Sequence, residues 1–201
     1  MHVRHSYGFL QEHSALYTNK IFKILLIVRK EADNLWGFNR SSRRYLNLDD
    51  IIISIKNTID VLQKNNTEVA FEFDTANLSG YSFKDQLKLI GDTSIMIGMH
   101  GAGMASSMHM SIGNKYCCGV IEFYPDGEFT PIRGHGNMAR RMGLKYDRID
   151  ITKMNSRSDG AVVPVNELDI SLKNMINMIL PKPTCVLPQV VNDPYLESNR
   201  I

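Results

Sequence analysis

Short aliphatic segments alternate with segments of helical periodicity along most of the chain, and this alternation restricts the fold more than any other feature. The strand-like segments are residues 24–28, 68–73, 94–98, 119–123 and 145–151. The helix-like segments are residues 47–62, 83–90, 103–110, 137–142 and 165–179. Strands separated by helices form β-α-β units. The sequence therefore predicts an α/β domain with a Rossmann-like, mostly parallel sheet and helices on both faces.

The predicted domain spans residues 21–180. Residues 1–20 show no clear period and are predicted to be a lead-in segment, whereas residues 181–201 form a proline-containing C-terminal tail. A net charge of +2 excludes attraction of the whole surface to nucleic acid. The longest apolar stretch is too short to cross a bilayer, and the first residues lack the features of a secretory signal. We expect no nucleic-acid partner and no membrane span, signal or anchor in this chain.

A glycine-rich turn, His100-Gly101-Ala102-Gly103, follows the third predicted strand and leads into a helix. Two glycines let a ligand approach the backbone, and the free N–H groups of a helix start favour an anion such as phosphate. His100 begins this turn, where it could donate a hydrogen bond to a bound or departing phosphate. We predict His100 as the catalytic residue; the alternative is a histidine that merely caps or packs.

Charged residues at two other strand ends extend this candidate site. Glu122 ends the next strand, about 20 residues beyond the turn, where Rossmann-like sites use a carboxylate to bind ribose hydroxyls. Arg29 follows the first strand, and Arg43 and Arg44 lie in the long loop after it. Arginine suits bidentate binding of phosphate. The alternatives are a surface carboxylate and solvated loop arginines.

Other histidines and asparagines carry weaker signals. His109 and His135 lack a setting like that of His100, and we do not predict them as site residues. Asn39, Asn65 and Asn77 each begin an N-x-Ser/Thr sequon, which permits glycosylation in the secretory pathway.

Four motifs in one order resemble glycosyltransferase family 61. They are Arg43-Arg44-Tyr45-Leu46-Asn47, Phe83-x-x-Gln86, His100-Gly101-Ala102-Gly103 and Val120-Ile121-Glu122-Phe123-Tyr124-Pro125. The resemblance runs from about residue 24 to residue 179. It implies a GT-B architecture of which this chain corresponds to the C-terminal, nucleotide-sugar-binding half. The family's upstream half and its anchor or signal have no counterpart here, so acceptor recognition is expected outside these residues.

The resemblance also implies an activity, namely transfer of a sugar from a UDP-sugar (UDP-N-acetylglucosamine or a UDP-pentose) to a hydroxyl of a glycan or glycoprotein. The implied location is the lumen of the Golgi or endoplasmic reticulum. Backbone N–H groups of the turn, His100, Arg29 and Arg44 would stabilise the departing diphosphate. No D-x-D motif is present, so we expect no metal and no further cofactor.

Two alternatives stay open. The chain could be a non-catalytic nucleotide-sugar-binding remnant that lacks its acceptor half. Less well supported is a NAD-dependent oxidoreductase, because residues 101–106 approach the dinucleotide fingerprint G-x-G-x-x-G but end in serine.

Overall fold

A computed structural model describes residues 21–29, 44–110, 118–125, 134–151 and 160–180. Within them, five strands form one sheet: β1 (Ile21–Ile27), β2 (Ala70–Ala76), β3 (Ile95–Met99), β4 (Gly119–Pro125) and β5 (Lys145–Ile151). The spatial order is β2-β1-β3-β4-β5, and every neighbouring pair is parallel. The predicted parallel sheet is therefore confirmed. Residues 1–20 and 181–201, the predicted lead-in and tail, lie outside the described residues.

Helices cover both faces of this sheet. They are α1 (Leu48–Asn65), α2 (Phe83–Gly91), α3 (Ala102–Ala105), α4 (Gly134–Arg141) and α5 (Val165–Ile179), with 3-10 turns at Leu78–Gly80 and Ser106–His109. Helices α1 and α5 pack on one face, and α2, α3 and α4 pack on the other. None of these described helices has both the length and the apolar character needed to cross a bilayer.

Side chains that alternate along each strand supply two cores. In β1, Phe22, Ile24 and Leu26 face the core under α1 and α5. Leu25 and Ile27 face the core under α2, α3 and α4. Because both faces are covered, the central strands are apolar on both sides, which explains the continuous aliphatic segments in the sequence.

The helix after the glycine-rich turn is shorter than the predicted 103–110. Helix α3 ends at Ala105, and a 3-10 turn continues to His109. Glycine and serine have lower helix propensity than alanine, and this segment contains Gly103, Ser106 and Ser107. A dipole confined to one α-helical turn adds little to anion binding, so that part of the predicted phosphate site is not supported.

Asn47 lies directly before α1, at the position of a helix N-cap. Its side chain makes no cap hydrogen bond and pairs instead with the backbone of Val163. Its Nδ2 donates to the Val163 carbonyl at 2.9 Å, and its Oδ1 accepts from the Val163 N–H at 3.0 Å. Together with the parallel bridge between Tyr45 and Ala161, this pair joins the start of α1 to the segment before α5.

Candidate functional site

The ends of β1 and β3 mark the point where the direction of strand addition reverses. The chain passes from β1 outward to β2, returns across β1 to β3, and then continues outward to β4 and β5. In open parallel sheets, ligands bind beyond the carboxyl ends of the strands at such a point. The turn that begins at His100 follows β3 and therefore lies at this edge.

Tyr45 joins the ends of these two strands. Its buried hydroxyl donates to the Ile27 carbonyl at 3.0 Å and accepts from the Met99 N–H at 3.1 Å. Burial raises the pKa of Tyr45, and the Met99 N–H and the Arg29 charge only partly offset that effect. The hydroxyl therefore stays protonated and can make both hydrogen bonds at once. This bridge fixes the point where the glycine-rich turn leaves the sheet.

The turn itself has a backbone conformation that glycine must supply. Gly101 has φ 144° and ψ −172°, in a region that residues with a side chain rarely adopt. The His100 N–H donates to the Phe123 carbonyl at 2.8 Å, and the Met104 N–H donates to the Gly101 carbonyl at 2.9 Å. A Cβ on Gly103 would lie 3.6 Å from the Ile27 Cγ2 atom, which is ordinary contact. The fold thus requires glycine at 101 but not at 103.

Glu122 is the centre of a hydrogen-bonded cluster at the end of β4. It is 1% exposed. Its Oε1 lies 2.8 Å from the His100 Nδ1 and 2.7 Å from the His135 Nδ1. The Tyr146 hydroxyl donates to its Oε2 at 2.6 Å. The carboxylate therefore has three protein partners, and its predicted contact with a ribose stays a prediction.

Burial and hydrogen bonding act on the Glu122 carboxyl in opposite directions. Burial is the largest single effect and raises its pKa. The hydrogen bonds from His135, Tyr146 and His100 each lower the pKa, and together they outweigh burial, so the net shift is downward. The pKa of Tyr146 is raised by burial and by the neighbouring carboxylate. The pair is thus an ionised acceptor and a protonated donor.

His135 belongs to this cluster, although the sequence does not predict it as a site residue. It lies in the first turn of α4, and its ring centroid is 5.0 Å from that of His100. Gly136 lets α4 lie close to Tyr146, because a Cβ there would lie 2.9 Å from the Tyr146 Cε1 atom. The available signal was a histidine between two glycines, Gly134 and Gly136, in the segment between a predicted strand and a predicted helix.

Tyr124 and Arg148 pack beside His100. The centroid of its ring is 4.6 Å from that of Tyr124, and the Arg148 guanidinium carbon lies 3.9 Å from the Tyr124 ring centroid. The Arg148 Nε also donates to the Asp150 carboxylate at 2.6 Å. The charge of Arg148 is therefore paired, and Tyr124 supports the ring of His100 from the side.

The structure describes two of the three arginines predicted to bind phosphate. Arg29 and Arg44 are exposed, and the Arg44 carbonyl accepts a hydrogen bond from the Ala161 N–H at 2.8 Å. Arg43 lies outside the described residues. The phosphate contacts assigned to all three stay predictions.

The predicted glycosylation sites differ in accessibility. Asn65 is exposed at the end of α1. Asn77 is half-buried, and its Oδ1 accepts from the Ser79 hydroxyl at 2.9 Å. Asn39 lies outside the described residues. Glycosylation of all three stays a prediction.

In the described part of the chain, His100, Glu122 and His135 are the group whose spacing would admit a metal ion, since one donor atom from each lies within 4.8 Å of the others. Both Nδ1 atoms, however, lie within hydrogen-bond distance of one carboxylate oxygen. Protons on these nitrogens account for the short distances. The expectation that no metal is needed stays a prediction.

Comparison with known proteins gives one family. Residues 2–117, more than half of the chain, match the model of the family Glycosyltransferase 61. The match includes the turn at His100 and ends before Glu122 and His135. No curated protein matches the chain.

Two solved structures resemble the chain distantly. The flavodoxin-like domain of a Synechococcus sp. protein has a TM-score of 0.47 and 8% identity, covering 77% of this chain and 96% of its own. The metal-soaked Flv1 flavodiiron core from Synechocystis sp. PCC6803 has a TM-score of 0.45 and 13% identity, covering 88% of this chain and 40% of its own.

Proposed function

The chain belongs to the glycosyltransferase 61 family, and we propose that it transfers a sugar from a UDP-sugar, either UDP-N-acetylglucosamine or a UDP-pentose, to a hydroxyl of a glycan or glycoprotein. One observation carries the proposal: the family match includes the turn at His100, which lies beyond β3 where the strand order reverses. This is the edge at which parallel sheets bind their ligands.

The proposed reaction moves one electron pair onto the diphosphate. The bond between the sugar's anomeric carbon and the phosphate oxygen breaks, and its electron pair stays on that oxygen. The acceptor oxygen bonds to the anomeric carbon and loses its proton to a base on the acceptor side. Fixed donors that face the developing negative charge lower the barrier most effectively.

The backbone of the turn indicates which N–H groups are suited to this task. The N–H groups of His100 and Met104 are already used within the protein. We therefore assign the phosphate contacts to the N–H groups of Gly101, Ala102 and Gly103, together with the His100 side chain. Arg29 and Arg44 would add positive charge from the loop side of the same edge.

The remaining parts of the proposal follow from family membership. The domain would be the nucleotide-sugar half of a GT-B arrangement, with the acceptor bound by a second half. The reaction would take place in the lumen of the Golgi or endoplasmic reticulum. It would need no metal, since backbone groups, a histidine and arginines supply the charge stabilisation.

Calorimetric titration of the full chain with UDP tests the donor site. We expect micromolar binding, and we expect the double variant His100→Ala/Arg44→Ala to lose most of it. Lys64→Ala, which removes an exposed cation at the end of α1, is the matched control and should bind UDP normally. No UDP binding, or tighter binding of NAD, would contradict the proposal.

Turnover separates an enzyme from a binding remnant. Release of UDP from UDP-N-acetylglucosamine or UDP-xylose, in the presence of a hydroxyl acceptor, is the expected result. UDP binding without release from either donor would favour the non-catalytic alternative.

A further inference from the structure

We propose that His135 is a second phosphate-binding residue and that Glu122 is a positioning residue, which holds His100 and His135 as a pair whose Nε2 atoms bind the diphosphate of the nucleotide sugar. This inference rests on the proposed donor binding. It assigns a contact to a histidine for which the sequence gives no role.

The contacts with Glu122 determine which ring nitrogen each histidine can offer. Both Nδ1 atoms lie against the same Oε1, at 2.8 Å for His100 and 2.7 Å for His135. A nitrogen that donates to this carboxylate is not available to a ligand. Each imidazole therefore has only Nε2 left for binding. The Tyr146 hydroxyl holds the other carboxylate oxygen at 2.6 Å, so the carboxylate is fixed from both ends.

The two imidazoles are partly exposed, whereas the carboxylate between them is buried. The Glu122 side chain is 2% exposed, whereas those of His100 and His135 are 13% and 18% exposed. Because the Nδ1 side of each ring faces the buried carboxylate, we infer that the exposed part of each ring includes Nε2. The ring centroids are 5.0 Å apart, so two neighbouring Nε2 atoms can bind two oxygens of one diphosphate.

The charges of the cluster suit a polyanion. Phosphate oxygens accept hydrogen bonds, so each ring takes up one proton from solvent at Nε2 when the diphosphate binds, while Nδ1 keeps its proton toward Glu122. The Glu122 carboxylate touches both rings and balances part of the positive charge that these protons bring. Two further cations lie beside the cluster: Arg148, over the Tyr124 ring and paired with Asp150, and Arg140, over the Tyr146 ring.

Two substitutions test the Nδ1 and Nε2 positions of His135 separately. In His135→Asn the amide N–H replaces Nδ1 and can still donate to Glu122, but the Nε2 end is absent. In His135→Gln the amide can reach the Nε2 position. His109→Asn, at a half-buried histidine in the 3-10 turn, is the control.

Affinities for UDP and for uridine, followed by NMR on the full chain, give the first readout. We expect His135→Asn to weaken UDP binding about tenfold or more, the loss of one charge-assisted hydrogen bond. Uridine binding should stay unchanged, His135→Gln should recover part of the UDP affinity, and His109→Asn should bind both normally.

Long-range nitrogen–proton NMR of the imidazoles gives a second readout, specific for positioning. In the free protein both histidines should carry their proton on Nδ1, and UDP should shift both Nε2 signals. Glu122→Gln should change the nitrogen signals of both rings together, whereas it should leave His109 unchanged.

Several results would overturn the inference. Normal UDP binding by His135→Asn, or equal losses for UDP and uridine, would leave His135 a structural residue while the proposed function stands. Loss of both Nδ1 protons to added Zn²⁺ at stoichiometric concentration would identify a metal site instead. Failure of the unmodified chain to bind UDP would overturn the proposed function and this inference with it.

Discussion

A buried carboxylate is stable only where hydrogen-bond donors replace the water that it loses. Glu122 lies at the end of an apolar strand and has three such donors. They are His100 in the turn between β3 and α3, His135 in α4 and Tyr146 in β5. Their combined effect on its pKa exceeds that of burial. The cluster therefore contributes both to stability and to the orientation of two imidazoles, and these two contributions can be measured separately.

Glu122→Gln should make the free energy of unfolding less dependent on pH in acid. Because the folded-state pKa of Glu122 is lowered, its contribution is present above the ordinary value of about 4.5 and is lost as the pH falls through the lower folded value. At pH 7 we expect the variant to be less stable by about 1–3 kcal/mol. Urea unfolding at a series of pH values measures both the pH dependence and the stability at pH 7. The control is Glu72→Gln, which changes an exposed carboxylate of β2. Parallel pH curves for the unmodified chain and Glu122→Gln would contradict the expectation.

Gly101→Ala and Gly103→Ala should separate folding from binding within one turn. At Gly101 the positive φ strains any side chain, so we expect a loss of stability of about 1–3 kcal/mol. At Gly103 the new Cβ finds ordinary space, so stability should hold or rise slightly, while the methyl group obstructs phosphate and weakens UDP binding. Thermal unfolding and calorimetry measure the two effects. A Gly103→Ala variant with unchanged UDP affinity would remove this glycine from the site.

At the scale of elements, the sequence predicts what depends on local periodicity. The bounds of β5 and α5 agree residue for residue with the predicted segments 145–151 and 165–179. The helix after the turn is too long in the prediction because its glycine and serines weaken it without interrupting the pattern. Asn47 occupies a cap position but binds a distant backbone, which no local rule reveals.

The site depends on contacts that periodicity does not contain. His100, Glu122 and His135 are separated by 22 and 13 residues and meet only because β3 and β4 are parallel neighbours with α4 after them. The sequence predicts His100 and Glu122 from their strand ends. It misses His135 because no local pattern in the sequence links that residue to the end of β4.

Tyr45→Phe tests how the ends of β1 and β3 are joined. The substitution removes the hydroxyl that binds the Ile27 carbonyl and leaves the Met99 N–H buried without that acceptor. We expect a loss of about 1–3 kcal/mol in unfolding free energy and faster hydrogen exchange at the Met99 amide. Tyr81→Phe, at a tyrosine that is 42% exposed, is the control. Unchanged exchange at Met99 would show that the strand ends are held without this bridge.

At the scale of the whole molecule, charge and fold together restrict how an anion can bind. A net charge of +2 provides little long-range attraction. If the protein binds a diphosphate as proposed, the positive charge must come from groups at one edge of the sheet, namely the turn, the two imidazoles and the proposed arginines. In that proposal, the same groups take the place of a metal ion at the diphosphate.

Removal of divalent ions should leave UDP binding intact. If backbone N–H groups, His100 and His135 supply the positive charge, the dissociation constant in EDTA should stay within about twofold of its value in Mn²⁺ or Mg²⁺. Calorimetry on the full chain, first treated with chelator and then supplied with each ion in turn, measures this. A tenfold loss in EDTA that Mn²⁺ restores would mean that a metal ion bridges the protein and the diphosphate. The Glu122 cluster would then be the first place to look for that ion, because its donor atoms lie within 4.8 Å of one another.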